Sequence, residues 1–523
     1  MTWLPRLNPV PGFPQYTGPH KVGTIDIELP VADLDSPAPS PRSDITTAAF
    51  RVFYPCEPTG RERPVRWLPD EHQRGYLGAY ARFIGIGNKF SEVFAYMPQL
   101  LYYTTIPAHR DAQPLEPQTQ SKRWPVVIFS HGLGGSRNVY SHLLGSLASH
   151  GVVVIASDHR DGSAPISYIG ATKDALGTEI PYRNMSHQPS KDIFDARDDM
   201  LTTRLWEMGL IHDAILKIDD GASLTPLKDR HSPSKLEDMR DVLQQFQGRL
   251  DVQRPGAITW AGHSFGAATT VQLLKSVFYA DSGSSEEKGD YTPLYLPDTS
   301  SKIAAQITPH SPTILLDLWC FPLHSPSTSW LWHKPLPCYS SATAPGGTNL
   351  LGVLSAAFYN WRSNREDSKR ALSQSLTGTT TLPGPHLFYP ENSAHLSQSD
   401  FGILFPWLTK KLSKAEEPER TLVLNARAIL EVMRGAGLEV AGTTEADFDI
   451  CGDESNKDEE EGPGRDSRIL AKTGEVRGWV AVDTSTIGEE SLIDESVARR
   501  RNSSPEEALK QGAVLGKEEK VPT

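Results

Sequence analysis

Short uninterrupted apolar runs recur along the chain, each followed by a polar or glycine-rich turn and then by apolar residues spaced three or four apart. PVVIF at 125–129 predicts a strand buried on both faces, since a half-exposed strand would alternate. SHGLGGS follows as a turn, and NVYSHLLGSLASHG predicts a helix ending on Gly151. VVVIASDHRDG is a second buried strand running into a loop. Asp192 to Asp219 predicts one long helix, and Leu236 to Leu250 a second. AITWA predicts another buried strand, GHSFG a turn and AATTVQLLKSV a helix. TILLDLW and HLFYP are two further strands, each delivering a polar residue at or beyond its C-terminal end. Upstream, AFRVFYP alternates into a proline stop. Strands alternating with helices predict a mostly parallel central sheet covered by helices on both faces.

Elsewhere the pattern breaks. DLDSPAPSPRS reads as a surface loop. Ser, Gly, Pro and Thr crowd 276–296 and 325–384, which therefore read as insertions on the sheet scaffold. Pro418 to Gly435 is an amphipathic helix. Beyond about Thr443 the chain turns polar and acidic, with CGDESNKDEEEGPGRDS, and is expected to be disordered because it buries too little to offset its ordering entropy. The expected organisation is one catalytic domain over 1–442 and a tail over 443–523.

Composition narrows the function classes. With 38% hydrophobic and 22% charged residues, the 523-residue chain has ordinary globular material for a core. A formal charge of −12 disfavours a nucleic-acid partner, since no basic groove is available for phosphates. Cys56, Cys320, Cys338 and Cys451 form no C-x-x-C pair, so neither a disulfide framework nor a zinc site is expected. Met1 to Pro30 lacks the apolar stretch of a secretory signal, Thr2 replaces the glycine that myristoylation needs, and no run of about 18 apolar residues occurs. The expectation is a cytoplasmic chain. The sequence leaves the oligomeric state open.

The strongest chemical signal is Gly262-His263-Ser264-Phe265-Gly266, between a buried strand and a helix rich in small residues. A nucleophilic serine needs that setting: a tight strand-to-helix turn that projects it, glycines that allow close backbone approach, and a helix N-terminus behind it. The α/β-hydrolase fold is therefore expected. The second signal, Ser130-His131-Gly132-Leu133-Gly134-Gly135, is a βα turn whose Leu133 N–H, with that of Phe265, would form an oxyanion hole. In this fold class the acid follows the serine and the histidine comes last. Asp317, after TILL, is the expected acid; Asp298 and Asp400 lie in polar loops. His395, beyond HLFYP, is the expected base. His386 lies near the strand start, His310, His324 and His333 remain open, and His263 is expected to pack or hydrogen-bond locally.

These pieces resemble the platelet-activating-factor acetylhydrolase family, calcium-independent phospholipases A2 of the α/β-hydrolase superfamily. The resemblance rests on FYP at 53–55, PVVIFSHGLGG at 125–135, LASHGVVVIASDHRDGS at 147–163, WAGHSFGAAT at 260–269, LLDLWCFPL at 315–323 and AHLSQSDFG at 394–402. It implies Ser264 as nucleophile, Asp317 as acid, His395 as base, and Leu133 and Phe265 as oxyanion donors. It also implies a phospholipid substrate with an acetyl or short sn-2 chain, and no metal or organic cofactor. The stretch between Asp317 and His395 looks expanded, which leaves the pocket shape open. The aromatic segment from Tyr76 to Tyr103, with Tyr76, Leu77, Tyr80, Phe83 and Ile84, falls where the family rests on lipid surfaces. Peripheral membrane contact there and inward packing on the sheet are both open. A general carboxylesterase or lipase, and a non-catalytic lipid-binding scaffold, are the alternative functions.

Overall fold

The buried runs become the centre of one mixed sheet. The computed structural model describes residues 12–69, 72–83, 99–170, 177–227, 236–374, 382–452 and 463–484. Its strands are β1 (Lys21–Pro30), β2 (Thr47–Glu57), β3 (Pro64–Arg66), β4 (Thr105–Arg110), β5 (Gln113–Pro114), β6 (Val126–Ser130), β7 (Val153–Asp158), β8 (Ile166–Ile169) and β9 (Thr178–Pro181). They continue with β10 (Thr259–His263), β11 (Thr313–Leu316), β12 (Leu350–Val353), β13 (His386–Pro390) and β14 (Trp479–Ala481). The order is β14-β13-β12-β11-β10-β6-β7-β2-β1-β4-β3, with β5 beside β2 and β8–β9 a separate ribbon. From β13 to β7 every neighbour is parallel, while β2 and β14 join antiparallel.

Both faces of the parallel strands are covered, which is why their sequences do not alternate. Val126 and Ile128 point into a core shared with Leu205, Trp206 and Leu210 of the Lys191–Asp219 helix and with Leu273 and Leu274 of the Phe265–Phe278 helix. Val127 and Phe129 point the other way, against Leu143 and Leu147 of the Ser141–Ser149 helix and Leu422 and Ile429 of the Pro418–Gly435 helix. This is α/β-hydrolase architecture. Among the described residues no helix is long and apolar enough to cross a membrane.

Three sequence expectations are corrected. The stretch 325–384 is more than an insertion: LLGV at 350–353 is β12, paired in parallel between β11 and β13. Four residues are too short to stand out against the surrounding Ser, Gly and Thr. The tail does not begin at 443: the Glu445–Cys451 helix buries Phe448 and Cys451, and β14 extends the sheet with Trp479 buried on Phe388. Ile469, Val476 and Val482 are buried as well. The mean polarity of this stretch hid a few well-spaced apolar anchors; residues 485–523 lie outside the described residues. The second helix runs Leu236–Gln244 and stops short of Leu250, because Leu250 is drawn into a bridge with Trp124 at the foot of β6.

Candidate active site

The chain leaves β6 toward β7 on one side and returns to β10 on the other, so a crevice opens at the carboxyl ends of β6 and β10. Both motif loops arise there. After β10, Ser264 takes φ 56° and ψ −116° before Phe265 begins the following helix. This left-handed backbone is costly for any residue but glycine. Its N–H donates to Leu316 O at 2.8 Å, tying the turn to the end of β11. The flanking glycines are required by space. A Cβ on Gly266 would lie 2.0 Å from Ser130 O, and one on Gly262 would lie 2.3 Å from Gly266 O.

Asp317 follows β11 directly, also left-handed at φ 45°, with its N–H on Val353 O at 2.7 Å. Its carboxylate is fully buried. Oδ1 accepts from the Ser355 N–H just past β12, and Oδ2 lies 2.8 Å from His395 Nδ1. Burial alone would push this carboxyl up, but the two imidazoles facing it, His263 and His395, hold it below the usual carboxylate range. The ionised Asp317 therefore keeps the His395 proton on Nδ1 and leaves Nε2 as acceptor. The His395 ring stacks on Phe358 at 4.5 Å and lies 4.4 Å from the His263 ring. Phe358 sits on a short helix capped by Ser355, so the end of β12 positions both the acid and the ring behind the base. Among the described residues Ser264 Oγ makes no hydrogen bond; in resting hydrolase sites this contact often closes only around substrate.

The loop after β6 faces the elbow: a Cβ on Gly132 would lie 3.0 Å from Ser264 Cβ. His131 orients the peptide that carries the Leu133 N–H. His131 Nε2 accepts from His159 N at 3.2 Å, so Nδ1 holds the proton and donates to Gly132 O at 2.9 Å; Gly135 N donates to the same oxygen at 3.1 Å. Burial lowers His131 to about 4, which keeps it neutral for this task. The N–H groups of Gly132, Gly134 and Gly135 are all engaged, whereas among the described residues the Leu133 and Phe265 N–H groups have no acceptor. Two unpaired amides at this position can hold a developing negative charge.

Residues outside the expected triad and oxyanion hole complete the surroundings. Arg204 donates to His131 O at 2.7 Å and to Asp161 at 2.6 Å, and lies over the Phe265 ring at 4.5 Å. Tyr140 O lies 3.1 Å from Gly132 N and 2.8 Å from His263 Nδ1. Asp400 is corrected from an unconstrained loop acid to a buried cap of the Ser141–Ser149 helix, accepting from Ser141 N, His142 N and the Trp67 indole. Burial raises it to about 7. Asp298 closes an exposed turn with Ser300, and His386 lies at the start of β13. Tyr140 and His263 lie 123 residues apart and Arg204 and His131 lie 73 apart, so no local pattern marks these pairs. His263, Asp317 and His395 are the one group of His, Cys, Asp and Glu among the described residues able to share a metal ion, with ligand atoms within 4.8 Å. The Asp317–His395 hydrogen bond and the Tyr140 contact on His263 make the set a hydrogen-bonded network rather than a ligand cage.

Of the two readings open for the aromatic segment, inward packing describes the part that lies within the described residues. The Gln73–Phe83 helix packs inward: Tyr76, Leu77 and Tyr80 are buried, Tyr80 stacking on Trp67, and Phe83 packs on Tyr182. Tyr76 and Tyr80, one helical turn apart, form the inward face, Tyr76 against Tyr168 of β8 and Tyr80 against Trp67 and Phe401. Ile84 lies outside the described residues. Among the described residues the exposed large apolar side chains are instead Tyr103, Leu296 and Trp407.

The family model of platelet-activating factor acetylhydrolase, isoform II, matches residues 7–452. The chain belongs to this family. A protein of Schizosaccharomyces pombe named "Putative phospholipase A2" is 28% identical over 441 residues, covering 81% of this chain and 91% of its own. The platelet-activating factor acetylhydrolases of Canis lupus familiaris and Bos taurus are 28% and 29% identical over 43% of this chain, which spans about half of their length (46% of each). A ferulic acid esterase from Streptomyces cinnamoneus superposes with a TM-score of 0.41 at 16% identity, over 82% of this chain and 93% of its own. Within the platelet-activating factor acetylhydrolase family, membership and fold together support an ester hydrolase.

Proposed function

We propose that this chain hydrolyses the acetyl or short acyl ester at glycerol sn-2 of platelet-activating factor and related phospholipids, through Ser264, His395 and Asp317. The observation that carries the reading is the 2.8 Å Asp317–His395 hydrogen bond at the strand ends beside a strained Ser264. In this mechanism His395 Nε2 takes the Ser264 proton as Oγ attacks the ester carbonyl, and Asp317 stabilises the imidazolium that forms. The Leu133 and Phe265 N–H groups hold the tetrahedral oxyanion, each contributing on the order of 3 kcal/mol. His395 protonates the departing lysophospholipid oxygen, then activates a water that releases the acyl group from Ser264. Every step uses this chain's own groups and needs no metal or organic cofactor. We read the enzyme as cytoplasmic, meeting its substrate at a membrane surface.

The test is acetate release from an acetylated ether phosphocholine in EDTA, beside hydrolysis of p-nitrophenyl acetate. Release of acetate that vanishes in Ser264→Ala is expected. Hydrolysis of the p-nitrophenyl ester with the phospholipid untouched would leave a general carboxylesterase. Vesicle binding with neither activity would leave a lipid-binding scaffold.

A further inference from the structure

Tyr140 and His263 join the two halves of the site. Gly132 N–H is a donor only, so Tyr140 O must accept from it at 3.1 Å. The Tyr140 O–H is then directed to His263 Nδ1 at 2.8 Å, which must be unprotonated. The His263 proton therefore sits on Nε2, 3.9 Å from Asp317 Oδ2 and otherwise without a partner among the described residues. Burial and the neighbouring His395 lower His263 to about 4, so it stays neutral and does not compete as base. The Tyr140 ring is fixed in turn, lying 4.8 Å from Phe129 and 5.5 Å from His263. Its backbone is pinned on both sides by the base's own loop: Asp400 N donates to Val139 O at 2.8 Å, and the Asp400 carboxylate accepts from Ser141 N at 2.8 Å. The contacts thus run from the His395 loop through Asp400 to Tyr140, on to His263 and Asp317, and back to His395.

We propose that Tyr140 and His263 are positioning residues that set the Gly132–Leu133 oxyanion peptide against the Asp317–His395 pair, so that the oxyanion hole and the acid–base pair are held in one register. The inference rests on the triad reading above. Tyr140 fixes the peptide before Leu133, while His131 and Gly135 fix Gly132 O, so the Leu133 N–H is aimed only while both anchors hold. His263 turns toward Asp317 a second imidazole N–H, at 3.9 Å, which favours the ionised carboxylate that His395 needs.

The experiment compares wild type, Ser264→Ala, Tyr140→Phe, His263→Leu and His263→Gln on p-nitrophenyl acetate, with active sites counted by a fluorophosphonate probe. A trifluoromethyl ketone, which forms a tetrahedral adduct, measures oxyanion binding. Tyr140→Phe is expected to lower kcat per counted site by about 10²-fold with KM within about threefold, the scale of a misplaced oxyanion donor. Ketone affinity should fall by a similar factor. His263→Gln, which keeps an acceptor toward Tyr140 and a donor toward Asp317, should recover most of what His263→Leu loses. A purely structural role would reduce the number of labelled sites without changing kcat per site, and would overturn the proposal. Unchanged ketone affinity in Tyr140→Phe, with Ser264→Ala dead, would also overturn it while sparing the triad. Activity surviving in Ser264→Ala would remove the triad reading and this inference with it. Should Tyr140→Phe fold poorly, failure of Gln to outperform Leu at position 263 would overturn the proposal in its place.

Discussion

At the residue scale the site depends on positions where one strand ends and the backbone turns sharply. Ser264 and Asp317 both take a positive φ directly after a buried strand, and each is held there by a hydrogen bond to the neighbouring strand. Such strain persists only where surrounding structure over-determines it. Asp317→Asn keeps the shape but loses the charge and the tautomer control over His395. It should lower kcat by about 10³- to 10⁴-fold with little change in KM, measured on p-nitrophenyl acetate. Gly266→Ala places a Cβ 2.0 Å from a backbone oxygen that cannot swing aside. Loss of soluble folded protein, or a clearly lowered thermal midpoint, is expected. Ser264, Asp317, His395, Leu133 and Phe265 were legible as candidates because each follows an apolar run and lies in or beside a glycine-rich or polar turn. Tyr140 and Arg204 were not, because their meaning comes from His263 and His131, 123 and 73 residues away, and Asp400 read only as a loop acid because the helix it caps begins 259 residues away.

At the element scale, apolar runs bounded by clear turns were legible, and short strands in polar or small-residue surroundings were not. The Pro418–Gly435 helix and the HLFYP strand match their apolar patterns residue for residue. β12 and β14, of four and three residues, lie among Ser, Gly, Thr and charged residues that mask their apolar side chains. They matter nonetheless: β12 delivers Ser355 to Asp317, and β14 covers the edge of β13. An uncovered edge strand exposes unpaired backbone groups and invites aggregation. A chain ending at Gly442 should therefore melt several degrees lower, and aggregate more readily, than one ending at Thr484. Equal melting curves would show that the 443–484 segment adds nothing to the core.

At the scale of the whole molecule, an ordinary composition conceals a set of buried histidines. His131, His142, His159, His212 and His263 are buried, and burial lowers each below the usual imidazole value of 6.5. Between pH 6.5 and about 4 the unfolded chain binds protons on these rings that the native state does not. Stability is therefore lost as pH falls through that window, at up to about 1.4 kcal/mol per pH unit for each ring. Asp400, raised to about 7, and Glu207, raised to about 8, act in the opposite sense, since the native state holds their protons where the unfolded chain has released them. With His20 and His386 also lowered, and Asp198, Asp213 and Glu419 also raised, seven rings against five carboxyls leave a falling thermal midpoint between pH 6.5 and 4.5. His142→Leu removes a ring whose two nitrogens are both unpaired among the described residues, and should flatten that slope. An unchanged slope would mean that the ring titrates alike in both states.

The central claim is that Ser264 is the nucleophile, and fluorophosphonate labelling of the intact chain, mapped by peptide mass spectrometry, addresses it directly. One probe per chain, carried by the peptide containing Ser264 and absent in Ser264→Ala, is the expected result. Stoichiometric labelling at another residue, or none in a preparation that hydrolyses ester, would contradict the account.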